Sequence, residues 1–199
     1  AVHPTDPNTV WVAHTTGVAR TTNGGTSWKN QTTPAGFELA ALAPDPAAPD
    51  TLYGLGASDE IGARGCWKST DAGATWTNFD DGIYGWGARL LVRGSTIVAG
   101  TQAGLFMSRN AGVRWASRHA GIRASRPWAF AVSSSAPATI YAGVERYGLF
   151  RTTNGGGSWS KCPDFFLSGS ISGLLVHPAN PKTVYFLTVG CSDQPVYKS

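Results

Sequence analysis

Four acidic side chains, Asp59, Glu60, Asp80 and Asp81, fall in two loop-like stretches of a 199-residue chain whose Asp and Glu total only 12. Two facing carboxylates are what hydrolysis of a glycosidic bond requires, one as acid and one as base or nucleophile. These four sit among Gly, Ala, Ser and Tyr, and solvated acidic loops are the reading we favour. Histidine offers less. His3 and His177 both stand directly before proline, as turn residues do, while His14 and His119 are isolated. No metal-ligand spacing emerges from them or from Cys66, Cys162 and Cys191, no two of which share a short C-x-x-C-type window. The glycines belong to hairpins and not to a phosphate-binding strand-to-helix motif. We therefore expect no catalytic residue, no metal and no cofactor.

Charge distribution is the stronger signal. From Gly82 to Val144 there is neither a carboxylate nor a lysine, yet the stretch holds Arg89, Arg93, Arg109, Arg114, Arg118, Arg123 and Arg126. Arginine makes forked contacts to carboxylates and stacks on aromatic rings. Together with aromatics it is the composition of interface hot spots. The candidate partner-binding set is Arg89, Arg93, Arg118, Arg123, Arg126 and Arg146 with Trp86, Trp128 and Tyr147. The competing reading is a merely basic surface in which arginine has replaced lysine. Nucleic acid is not an expected partner, because a net charge of +4 is modest and no nucleic-acid-binding motif is present.

The elements that would carry such a surface follow from composition. Only 14% of residues are charged, while Gly numbers 25 and aromatic residues make up 11%. That excludes a disordered chain and a helical bundle. No run of ~18 apolar residues is present to span a membrane as a helix. Short strands and tight turns remain. The sequence opens on Ala1 with no charged n-region ahead of it, so any secretory leader is expected to have been removed or to lie outside these residues.

Four segments align without gaps: Arg20–Trp28, Lys68–Trp76, Met107–Trp115 and Arg151–Trp159. Ahead of them recurs an apolar strand, a Pro-rich turn and a Thr-Val-Trp/Tyr strand, as at Val2–Trp11, Leu42–Tyr53 and Leu175–Tyr185. A spacing of roughly 40 residues is that of four-stranded propeller blades. Proline should end each first strand. The Asn or Asp of each box should cap the backbone two residues on, and Gly should take the φ > 0 position. Trp should pack between sheets.

Ser/Thr-x-Asp/Asn-x-Gly-x-Thr/Ser-Trp resembles the Asp box, or BNR repeat, of sialidase-like propellers. The structural set is Asn23, Gly25 and Trp28; Asp71, Gly73 and Trp76; Asn110, Gly112 and Trp115; Asn154, Gly156 and Trp159. The wider repeat is similar to xyloglucan-active glycoside hydrolases, the sortilin ectodomain and the photosystem II stability/assembly factor family. The resemblance implies an all-β propeller of four-stranded antiparallel blades, with boxes on the face opposite the ligand face. It argues against catalysis. The xyloglucan-active relatives use two aspartates across a cleft between two propellers, and the sialidases need an Arg-Ile-Pro motif absent here.

We read residues 1–199 as one propeller domain, with repeats at about 1–33, 34–81, 82–120, 121–165 and 166–199. Lys198-Ser199 match the opening of another box, so the fifth repeat lacks its fourth strand, and membership of a six- to eight-bladed ring is favoured over a five-bladed one. The propeller reading brings Cys162 and Cys191 to one face as a disulfide pair, leaves Cys66 as a buried thiol, and implies an oxidising compartment. The expected function is that of a non-enzymatic, extracytoplasmic interaction subunit or assembly factor. Its partner would be a protein, and the resemblance to the assembly factor implies a membrane, photosynthetic complex. The alternative is a carbohydrate-binding or carbohydrate-hydrolysing propeller with Trp86, Trp128 and Tyr147 as sugar platforms.

Overall fold

The computed structural model describes residues 1–14, 16–34, 36–58, 63–85, 87–122, 127–144, 147–162, 170–189 and 196–198. Among them there is no helix, and the strands form five antiparallel sheets. In each, strands adjacent in sequence are adjacent in space. The first holds β1 (Val10–His14), β2 (Gly17–Thr21) and β3 (Lys29–Asn30). The second holds β4 (Phe37–Asp45), β5 (Ala48–Ser58), β6 (Ala63–Ser69) and β7 (Thr77–Phe79). The third holds β8 (Gly87–Arg93), β9 (Thr96–Thr101), β10 (Gly104–Ser108) and β11 (Ala116–Ser117). The fourth holds β12 (Pro127–Val132), β13 (Ile140–Val144), β14 (Gly148–Thr152) and β15 (Ser160–Lys161). The fifth holds β16 (Ser170–Val176), β17 (Val184–Val189) and β18 (Val196–Lys198).

Two departures from the sequence reading have simple causes. The leading strand of the first repeat shrinks to a single bridge between Val2 and Val10, fastened by Trp11 N–H donating to Ala1 O at 2.8 Å. In the second sheet proline does not end the strand. β4 runs through Pro44 to Asp45 and shifts register there, which accommodates the missing N–H.

The chain divides into two compact units, 1–99 with 106–116, and 100–105 with 117–199. In the first, Trp11, Val18, Phe37, Leu39, Leu52, Trp67 and Ala72 form a buried cluster, with Phe37 and Trp67 meeting edge to face at 4.9 Å. Trp11 is buried on all sides and still satisfies its indole N–H, which donates to Ala72 O at 2.8 Å. In the second, Ala129, Tyr141, Leu149, Ile171, Val184 and Phe186 cluster, and the Tyr141 hydroxyl donates to Pro181 O at 2.9 Å. Gly143 is required there, because a Cβ would lie 2.6 Å from Ile171.

Candidate functional site

The box turns have one geometry in all four copies. A buried hydroxyl (Thr21, Ser69, Ser108, Thr152) donates to the side-chain oxygen of Asn23, Asp71, Asn110 or Asn154 at 2.7–2.9 Å. The same hydroxyl oxygen accepts the N–H of Gly25, Gly73, Gly112 or Gly156 at 2.8–3.1 Å. The Asn or Asp oxygen in turn accepts the N–H of Ser27, Thr75, Arg114 or Ser158 at 2.9–3.0 Å. The side chain thus reaches four residues on and not two, because the hydroxyl before it already serves the nearer amide. Each turn is also tied to the first hairpin of its own sheet, by Gly24, Ala72, Ala111 and Gly155 N–H donating to Asn8, Asp50, Ser95 and Ala138 O. That tie holds two successive residues at positive φ, which glycine occupies without strain. In the middle two boxes alanine is forced there, Ala72 at φ 58° and Ala111 at φ 56°.

The box tryptophans do not share one environment. Trp115 and Trp159 are buried, at 4% and 9% exposure, and Trp159 donates to Arg118 O at 2.6 Å. Trp76 is half-buried, packs on Phe37 at 5.5 Å and donates to Gly73 O. Trp28 is 47% exposed, so it is not a packed staple. Arg118 precedes Trp159 by 41 residues, close to one repeat.

The arginines fall into separate groups. Arg89 and Arg93 are exposed on β8, and Arg109 and Arg114 are exposed in the third box turn, all within the first unit. Arg114 Nε lies 3.2 Å from Asp81 Oδ2 in an exposed ion pair. Arg118 belongs to the second unit and is half-buried. Its stem closes on Gly156, where a Cβ would come within 2.8 Å of Arg118 Cβ. Its stem therefore contributes to packing in the fourth box turn. Tyr147, also in the second unit, is 48% exposed. Trp86, Arg123, Arg126 and Arg146 lie outside the described residues, as does the side chain of Trp128 in β12.

Two carboxylates are occupied in turns. Thr75, through its hydroxyl and N–H, holds the Asp71 carboxyl below its ordinary value of 3.8. The Thr9 hydroxyl and Asn8 N–H do the same for Asp6. Asp59 and Glu60 lie outside the described residues, and among those described no group of three His, Cys, Asp or Glu could hold a metal. His3 and His177 accept turn amides at Nδ1, from Asp6 N–H and Ala179 N–H. Burial pushes the Cys66 thiol up to about 12, which makes it inert. Cys162 follows β15, while Cys191 lies outside the described residues, so their pairing is not described either.

Sequence reasoning missed a recurring cross-strand pair: Trp11 with Arg20, Tyr53 with Lys68, Tyr141 with Arg151 and Tyr185 with Lys198. Arg20 stands 5.6 Å from the Trp11 ring centre and Lys68 5.4 Å from that of Tyr53. The signal was present: a cation precedes the first, second and fourth boxes and the partial fifth, and Met107 replaces it in the third. Beside Arg20 and Arg151 the surface is recessed, with volumes of about 220 and 280 Å³.

No family model matches the chain, and no curated protein matches it either. Solved structures do. The Niastella koreensis GH74 enzyme superposes over 94% of this chain at a TM-score of 0.71 and 22% identity. YCF48 from Cyanidioschyzon merolae superposes over 94% at 0.66 and 15% identity, and YCF48 bound to D1 peptide over 91% at 0.64 and 13%. The chain spans 32% of the GH74 enzyme and 57–62% of the YCF48 chains. At these identities the likeness establishes fold alone: the chain is an all-β propeller built from repeated antiparallel blades.

Proposed function

We propose that this propeller is a non-enzymatic, extracytoplasmic interaction subunit that docks on another protein through its arginine-rich surface. One observation carries the reading. A stretch free of carboxylates and lysines presents Arg89, Arg93, Arg109 and Arg114 exposed around the third sheet. Arginine at exposed positions offers forked donors to an acidic or C-terminal carboxylate, and of the four Arg114 is paired with Asp81. The likeness to a YCF48 chain bound to a peptide supports a protein partner. The second reading, a carbohydrate-binding or hydrolysing propeller, draws on the exposed Tyr147 ring and the likeness to GH74 enzymes.

Affinity capture from the native source separates the two. Salt-sensitive co-purification with a protein or membrane complex supports docking. Saturable binding to a glycan array, with or without hydrolysis, and no protein capture would replace it with the second reading. A Cys162–Cys191 disulfide belongs to the same proposal, and a non-reduced digest in which both peptides carry free thiols would remove it.

A further inference from the structure

We propose that the first and fourth box turns are oxyanion-binding sites, each for one sulfate or phosphate group. The inference starts from a difference in proton bookkeeping between Asn and Asp at the same position. In the fourth box, Asn154 Oδ1 accepts the Ser158 N–H at 3.0 Å, which fixes the orientation of the amide. Asn154 Nδ2 must then donate to Ser158 Oγ, at 2.9 Å. The serine oxygen is used as an acceptor, so its own proton is turned outward. The first box repeats this with Asn23 and Ser27, at 2.9 Å for both contacts. In the second box the sense reverses. Thr75 Oγ1 donates to Asp71 Oδ2 at 2.6 Å, its proton is consumed, and a negative charge stays at the turn. In the third box Arg114 replaces the hydroxyl residue altogether.

The two serine hydroxyls open onto the two recesses, and those recesses are the same feature in two repeats. The larger, about 280 Å³, is lined by Ser158, Ser160, Thr153, Arg151 and Lys161. The smaller, about 220 Å³, is lined by Ser27, Thr22, Arg20 and Lys29. No carboxylate is among the described residues lining either. In the first sheet Arg20 and Lys29 are direct cross-strand partners, a like-charge pairing that is unfavourable unless an anion lies between them. Arg20 Nε is buried there without a hydrogen-bond partner. Two cations and outward hydroxyl donors, with no carboxylate among the described lining residues, make a donor-rich site suited to a tetrahedral oxyanion, which only accepts. Asp6 lies within electrostatic reach of Arg20, so the fourth-box site should be the tighter.

The full chain is titrated with inorganic sulfate and, separately, inorganic phosphate at constant ionic strength, followed by amide NMR shifts. Saturable shifts at Ser158, Ser160 and Lys161, and more weakly at Ser27 and Lys29, are expected. Saturation by only one anion assigns the ester class, and saturation by neither, or equal shifts with chloride, overturns the proposal. Asn154→Asp tests the proton argument, because the second box shows that Asp fits the same turn. It should weaken binding at the fourth box by about tenfold or more while the first box still saturates. Ser158→Ala, which adds no charge, should also weaken it. Unchanged saturation at the fourth box in both variants refutes the inference, and neither result bears on protein docking.

Discussion

Trp159 and Trp28 close boxes of nearly identical sequence, yet only one is buried. Truncating Trp159 to Ala removes a packed indole and its bond to Arg118 O, and should cost about 3–5 kcal/mol in denaturant unfolding. Truncating Trp28 should cost under about 1 kcal/mol, as exposed substitutions do. Equal losses would mean that Trp28 is covered in solution. A second contrast lies at the strained alanines. Ala111 holds φ 56°, where the first and fourth boxes place glycine. A left-handed alanine costs about 1–2 kcal/mol, and the extra unfolded-state entropy of glycine returns about 0.4–1. Ala111→Gly should therefore raise stability by about 0.5–1 kcal/mol, measured by urea midpoint, and a loss of stability would refute the strain. The box residues were legible in the sequence, because hydroxyl, amide, glycine and tryptophan recur in register. Their burial was not, because it depends on contacts distant in sequence: the Arg118 carbonyl that holds the Trp159 indole and the Phe37 ring on which Trp76 packs each lie about 40 positions earlier. Arg118 shows the same limit from the other side: read alone it is one more surface cation, and only its neighbour Gly156 reveals the packing role.

A box turn is a small circuit in which one hydroxyl serves both a side chain and a backbone amide. Ser108 is fully buried, donates to Asn110 and accepts the Gly112 N–H. Ser108→Ala leaves those groups unsatisfied and should cost about 1–3 kcal/mol, the penalty for an orphaned buried donor. The second box adds a titration. Thr75 holds the Asp71 carboxyl below 3.8 in the folded chain, so the ionised form is what folding favours. Its stabilisation is complete above the unfolded value, near 4, and is lost as pH falls through the lower folded value. Asp71→Asn should flatten the decline of the urea midpoint between about pH 5 and 2. The Asn boxes show that the turn tolerates the amide, so a profile as steep as the wild type's would place the acid sensitivity elsewhere. Strand order could be read from periodicity, since each sheet is a meander of neighbours. The cross-strand pairs could not, because Trp11–Arg20 and Tyr141–Arg151 become partners only once the hairpin register is known.

At the scale of the molecule, charge is distributed by segment and not by blade. A net +4 conceals a stretch, Gly82 to Val144, that contains seven arginines and no acid, so the counter-charges lie elsewhere in the chain. Asp81 reaches Arg114 from just outside that stretch and neutralises one of them in an exposed pair. Arg89 and Arg93 are exposed on β8, at one edge of the third sheet. Exposed charges contribute about 0–1 kcal/mol each to stability, but they govern encounter with an oppositely charged partner. Arg89→Glu with Arg93→Glu should therefore leave the thermal midpoint within a few degrees of wild type while abolishing partner capture. A control carrying the same change in net charge, Lys182→Glu with Lys198→Glu, should capture the partner normally, since those lysines belong to the other unit. Capture by the wild type should weaken as salt rises above about 0.1 M, where screening shortens to about 10 Å. Full capture by the Arg89/Arg93 double variant, or equal loss in both double variants, would show that β8 is not the docking edge and that only overall charge was at work.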